Sequence, residues 1–162
     1  MEDGGRRTEG RGLRGCRPSS VIGLKRGGMG EKIESFWDLR VYTRALELQR
    51  EIFEITKTFP KAEMFSLTDQ VRRSARSVGA NIAEAWQKRR YPLHFVSKLS
   101  DSDGEQAETQ HWIQTAFECS YLTSDQCSHL LEICRDIGRM LGSMMEKPEP
   151  FCRRFAKGSE DR

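Results

Sequence analysis

No apolar run in this chain is longer than four residues, so no segment is greasy enough to span a bilayer as a helix. No secretory signal is expected either: Arg6 and Arg7 lead only to Val21, Ile22 and Leu24 among glycines. The five cysteines (Cys16, Cys119, Cys127, Cys134, Cys152) contain no CxxC pair and are odd in number. That argues against a disulfide framework and for reduced thiols in a cytoplasm. Histidines are scarce, and His94, His111 and His129 stand singly. No nucleophile–base pair and no P-loop is present, so no enzyme is expected. Metals fare no better. Cys127-x-His129 lacks helical ligand spacing and a second pair. Asp101, Asp103, Glu105 and Glu108 resemble a di-iron set, yet such bundles need Glu-x-x-His motifs that this chain does not have. The acidic run also departs from an EF-hand loop after its first residues. Neither metal nor cofactor is expected.

An excess of one charge is absent as well. The formal charge is +3, but residues 1–28 carry seven Lys/Arg against three Asp/Glu, and the remainder is −1. The pI of about 8.7 therefore belongs to the N-terminal segment, and nucleic-acid binding cannot rest on total charge. Residues 1–30 hold nine of the 14 glycines and six arginines without periodicity. Such a tail cannot bury enough apolar surface to offset its ordering entropy. Disorder is expected there, or a true start at Met29; a basic Gly/Arg tail can also bind RNA.

What is present is helical periodicity. In Leu67–Trp86, the residues Leu67, Val71, Ala75, Val78, Ile82 and Ala85 recur at steps of three and four. Arg72, Arg73 and Arg76 lie roughly 150° from that stripe at 100° per residue. This second helix is predicted to start after Ser66 and to run to Lys88, with Gly79 permitting a close crossing. Helix one is predicted from Phe36 to Thr58, with Ser35 as N-cap and Asp38 completing the box. It carries two stripes, Leu39/Tyr42/Leu46/Phe53 and Val41/Ala45/Leu48/Ile52/Ile55, roughly 130° apart. One stripe suffices for a monomer. The second predicts a subunit interface through Val41, Leu48, Ile52 and Ile55, the alternative being one wide face wrapped by its neighbours.

Tyr91-Pro92 opens helix three, which runs to about Ser120. It mixes apolar Val96, Leu99, Ile113 and Phe117 with Asp103, Gln106 and Gln110 on one stripe, a polar layer that needs partners. Asn81, Glu84 and Arg76 are candidates for it. Ser124 is the expected cap of helix four, where Cys127, Leu130, Cys134, Ile137, Leu141 and Met144 repeat to about Lys147. Gly138 and Gly142 are expected at a close helix contact. An all-α, antiparallel up-down four-helix bundle over 35–147 follows, with tails at 1–30 and 148–162.

The segments VYTRALELQREIFEITKTFPKAEMFSLTDQVRRSARSVGANIAEAW (41–86), ETQHWIQTAFECSYL (108–122) and IGRMLGSMM (137–145) resemble the bacterial four-helix-bundle family of 23S rRNA intervening-sequence proteins. The Gln70–Glu84 core is its strongest part. Family members end that motif with Glu-Gly, where this chain has Glu84-Ala85. Many also have a Gly-Ser step in helix three, where this chain reads Ser100-Asp101-Ser102-Asp103-Gly104. The resemblance implies a ring-like homopentamer and no catalytic residues, with Asn81 and Glu84 structural. The family is similar to the accessory variability protein of diversity-generating retroelements, which binds reverse transcriptase and nucleic acid through a basic surface.

The expected function is thus a non-enzymatic oligomeric accessory factor associated with RNA or an RNA–protein complex. Its candidate contacts are Arg72, Arg73, Arg76, Lys88, Arg89 and Arg90. For Lys88, Arg89 and Arg90 the simpler role is to offset the negative end of helix two's dipole. The alternative function is a protein-only scaffold, its arginines paired between subunits with Glu84, Glu105 or Glu108.

Overall fold

A computed structural model describes residues 33–152. The expected N-terminal tail, the Met29 start, Cys16 and the last ten residues of the expected C-terminal tail lie outside that range. The described residues form four α-helices: α1 (Arg40–Ile55), α2 (Leu67–Lys88), α3 (Pro92–Glu118) and α4 (Ser124–Glu146). There is no strand among them.

The helix boundaries follow local chemistry. Ser35 accepts the N–H of Trp37 while Asp38 accepts that of Ser35, the reciprocal box expected of this sequence. The box caps only a 3-10 turn, Phe36–Asp38, because Leu39 is extended (φ −75°, ψ 124°) and α1 starts beyond it. Ser66 does not cap α2. Glu63 accepts instead from the Ser66 hydroxyl and, at 3.4 Å, from the Leu67 N–H. Thr123, not Ser124, caps α4, in a box with Gln126. Pro92 occupies the first turn of α3, where its missing N–H costs nothing.

Pairs across the helices fix the topology. Arg44 reaches Asp136 and Glu51 reaches His129, so α1 and α4 run antiparallel. Ser74 meets Thr109 and Val78 meets Ser102, so α2 and α3 do as well. Gln106 bonds the Cys134 carbonyl between α3 and α4, and Arg72 bonds Thr56 between α2 and the end of α1. Each helix thus has two sequential or cyclic neighbours, the square of an up-down bundle.

That square revises the interface expected on helix one. Val41, Leu48 and Ile52 are 2%, 0% and 1% exposed within their own chain, and Ile55 is half-buried against the same core. Val41, Leu48 and Ile52 are core residues with no surface left for another subunit, whereas Ile55 keeps part of its surface. A helix with neighbours on two sides needs a wide apolar face, and both stripes of α1 turn inward to supply it. Leu39 and Tyr42 of the other stripe are buried too, leaving Phe53 as its one exposed member. The centre is filled by Leu48, Val78, Ile82, Phe95, Leu99, Ile113, Ile133, Ile137 and Leu141, with Phe151 stacked on Phe95 at 6.1 Å.

The polar layer of α3 is satisfied, but by other partners than expected. Gln106 donates to the Cys134 carbonyl at 2.6 Å and accepts from Gln110 at 2.6 Å. Ser102 donates to the Val78 carbonyl at 2.9 Å, and Thr109 Oγ1 lies 2.9 Å from Ser74 Oγ and 2.8 Å from the Glu105 carbonyl. Asn81, Glu84 and Arg76 stay outside this layer. No buried side-chain polar atom among the described residues lacks a partner.

Candidate nucleic-acid interface

Arg72, Arg73 and Arg76 share a sector of α2, but the neighbouring helices divide them. Arg72 Nε donates to Thr56 Oγ1 at 2.7 Å, and that hydroxyl lies 2.7 Å from the Ile52 carbonyl. Its guanidinium sits 5.0 Å over the Phe53 ring. Arg72 therefore satisfies the last turn of α1, whose carbonyls have no helical partner of their own. Arg73 leans the other way. It donates to Gln70 at 2.9 Å and lies 3.8 Å from the Glu108 carboxylate, which also accepts from Trp112 Nε1 at 3.0 Å. Arg76 is exposed, with no hydrogen bond or ion pair to the described residues.

The α3 surface beside this sector is acidic. Burial raises the Glu105 carboxyl, the charge of Glu108 adds to that, and only Arg73 opposes it. Asp101 and Glu84 both hold Lys98, at 3.0 Å each, and Asn81 accepts from it at 3.5 Å. Glu84 also pairs with Lys88 at 2.6 Å. The Lys88 bond, then the Lys98 bond, keep its carboxyl below the usual range. Along the middle of α2 only Arg73 faces an α3 carboxylate, that of Glu108, while Arg72 turns to α1 and Arg76 has no ion pair among the described residues.

The end of α2 is different. Arg89 lays its guanidinium 3.8 Å over the Trp86 ring and donates to the Trp86 carbonyl, which places positive charge at the helix C-terminus. Lys88 and Arg90 are exposed on either side. Arg90 lies 5.6 Å over Tyr91, whose ring is 5.4 Å from His94. Tyr91 is 51% and Leu93 83% exposed. The fold therefore brings Lys88, Arg89 and Arg90 together with Tyr91, Leu93 and His94 on one turn. The sequence signal for this grouping is aromatic and basic residues interleaved in Lys-Arg-Arg-Tyr-Pro-Leu-His.

No constellation among the described residues provides a nucleophile with its base. Cys127 is buried while His129 is on the surface 2.8 Å from Glu51, so the two face apart and cannot share an ion. No group of three His, Cys, Asp or Glu side chains converges among the described residues. Nor is any described helix long and apolar enough to cross a membrane.

The family model of 23S rRNA-intervening sequence proteins matches residues 37–143. A crystal structure of a protein of unknown function from the S23 ribosomal protein family of Bacteroides thetaiotaomicron is also similar, with a TM-score of 0.61 and 27% identity. The match covers 66% of this chain and 99% of that one. A search of curated proteins gives no match.

Proposed function

The chain belongs to the 23S rRNA-intervening sequence protein family, and from that premise we propose that it is a non-enzymatic RNA-associated accessory protein. It meets nucleic acid at the cationic end of its bundle. The observation that carries this reading is the run of three cations at the C-terminal end of α2, where Lys88 and Arg90 are exposed, Arg89 lies over Trp86 and Lys88 also pairs with Glu84. On the face of Arg72, Arg73 and Arg76, Arg72 is held by α1, while Arg73, 65% exposed, and the exposed Arg76 extend the cationic surface.

The protein acts as several copies, the ring of five that the resemblance implies, so the basic turn is repeated around the assembly. The contact between copies uses exposed apolar groups such as Phe53, Met64 and Phe65 rather than the core side of α1. Affinity for RNA should fall linearly with log salt, with a slope near the number of phosphates neutralised. Arg90→Ala should reduce that slope by about one. Binding that ignores salt, or no retention of RNA at low salt, refutes the reading.

A second reading, a protein-only scaffold, draws on the 91% exposure of Phe65 and on the exposed Arg76, whereas Arg73 meets Glu108 within its own chain. Sedimentation of Phe65→Ser and Arg76→Ala separates the two. The scaffold reading requires loss of assembly without any RNA affinity to lose.

A further inference from the structure

We infer that the cleft between α3 and α4 at Gly138 takes one unpaired guanine base of a bound RNA, its edge read by Arg135 and Glu132. The inference rests on the RNA reading above and adds a contact that tells one base from another. The cleft has a volume of about 340 Å³ and is lined by Gln106, Gln110, Glu132, Arg135, Gly138 and Arg139. That is the small end of the range for ligand sites, with room for a base and little more. Its floor is fixed. Gly138 carries no side chain, and a Cβ there would stand 2.8 Å from the Gln106 amide nitrogen. Gln106 is 4% exposed, donates to the Cys134 carbonyl at 2.6 Å and accepts from Gln110 at 2.6 Å. Its rim is unpaired. Glu132 and Arg135 are exposed and make no hydrogen bond or ion pair with the described residues. Four opposite-charge pairs at the same spacing do close: Arg44–Glu47, Glu54–Lys57, Lys98–Asp101 and Asp136–Arg139. Residues three apart on a helix share a face, with Cβ atoms about 5–6 Å from each other, so both side chains can meet one ligand edge.

The free groups define the ligand. Arg135 offers a planar fork of donors, and Glu132 a carboxylate that only accepts. A phosphate suits the first and is repelled by the second. Guanine suits both on adjoining parts of one edge. Its O6 and N7 accept from a guanidinium, while its N1–H and N2–H₂ donate to a carboxylate. Adenine has a donor at N6 where guanine has O6, so Arg135 loses its bidentate partner. In a duplex the N1–H and N2–H₂ groups are already paired with cytosine, so the base must be unpaired. Arg139 is held by Asp136, which Arg44 also bonds at 2.9 Å, and it takes no part in the reading. Sequence-independent affinity stays with the cations of α2.

The test uses the full chain and RNA strands of about 12 nucleotides. One strand is all uridine, one carries a single central guanosine, and one has inosine at that place. Fluorescence anisotropy should give about tenfold tighter binding to the guanosine strand than to the all-uridine strand. Inosine lacks only the N2 amino group and should lose most of that gain; an inosine strand as tight as the guanosine one overturns the Glu132 contact. Glu132→Ala and Arg135→Lys should each bring the guanosine-to-uridine ratio close to one, the lysine because it keeps the charge and loses the fork. Both positions are exposed, so neither variant is expected to disturb the fold. A ratio near one in the parent, or a preference that survives both substitutions, overturns the inference and leaves RNA association standing. Retention of no strand at low salt removes the RNA reading, and this inference with it. Guanosine monophosphate alone should bind far more weakly than the guanosine strand, since it brings a single phosphate. Equal affinity for the two makes a free nucleotide the ligand and overturns the RNA-borne form.

Discussion

Ser120 is the one non-glycine residue with positive φ (60°) among the described residues, and it sits where α3 must stop. Its N–H bonds the Phe117 carbonyl at 2.8 Å, and the next N–H, of Tyr121, bonds Ala116 at 2.9 Å. This pair of bonds closes a helix through a left-handed residue, a position glycine fills without strain. Ser120→Gly should raise stability by ~0.5–1 kcal/mol in urea unfolding. Two glycines should respond to alanine with opposite signs. At Gly79 a Cβ would stand 3.7 Å from Tyr42 and 3.9 Å from Ala45, ordinary contact rather than a forced close crossing. Gly79→Ala should therefore gain about 1 kcal/mol of helix propensity. At Gly138 a Cβ would lie 2.8 Å from the Gln106 amide nitrogen, which donates to Cys134. Gly138→Ala should cost ~1–3 kcal/mol, since the amide must leave its only carbonyl. Gly142, expected at the same close contact, has nothing within 4 Å of a Cβ.

Between elements, the connections are tied by polar side chains rather than by apolar area alone. Arg72 spans α2 and the end of α1 through Thr56, and Tyr121 donates to Glu63 at 3.2 Å while its ring lies 5.5 Å from Phe59. The second tie joins the α3–α4 turn to the α1–α2 connector. Arg72→Ala leaves the buried Thr56 hydroxyl without its donor and should lower stability by ~1–3 kcal/mol. RNA affinity should change little in that variant, measured below its unfolding range. A loss of RNA binding with unchanged stability would reverse the role given to Arg72. Helix one was legible in its periodicity, yet one helix from 36 to 58 became an α-helix between two 3-10 turns. Periodicity registers which face is apolar; it does not register that Leu39 is extended.

At the scale of the whole molecule, several carboxylates link stability to acid. Asp38 is held low by the backbone N–H groups of Ser35 and Glu34, Glu63 by Ser66 and Leu67, and Asp136 by Arg139 and then Arg44. Glu84 joins them through Lys88 and Lys98. A carboxylate with a lowered folded value contributes stability above its unfolded value and loses it as pH falls through the folded one. The fold should therefore weaken progressively below about pH 5. Glu105 has the opposite sign, because burial and Glu108 raise it. Glu105→Gln should be more stable than the parent at neutral pH, with the difference closing in acid, as thermal melts across pH would show. Thiol access reads the same unfolding. Burial pushes Cys134 up to about 12, and it is fully enclosed, whereas Cys119 is exposed. An aromatic disulfide reagent should label Cys119 in the native protein and Cys134 only once the bundle opens.

The sequence by itself determined the number of helices, their order and most of their core residues. An apolar stripe at 3.6-residue spacing has to be buried, and α4 from Cys127 to Met144 was readable on that ground. It also contained the Lys88–Arg90 cluster, because neighbours in sequence at a helix end remain neighbours in space. Tertiary structure alone decided what the second stripe of helix one meets, where the α3 glutamines bond, and which arginines are committed. Burial and partnership depend on which helix stands beside which. A single-helix pattern cannot tell a groove filled by its own chain from one left for another, and only packing α1 between α2 and α4 closed Val41, Leu48 and Ile52 inside.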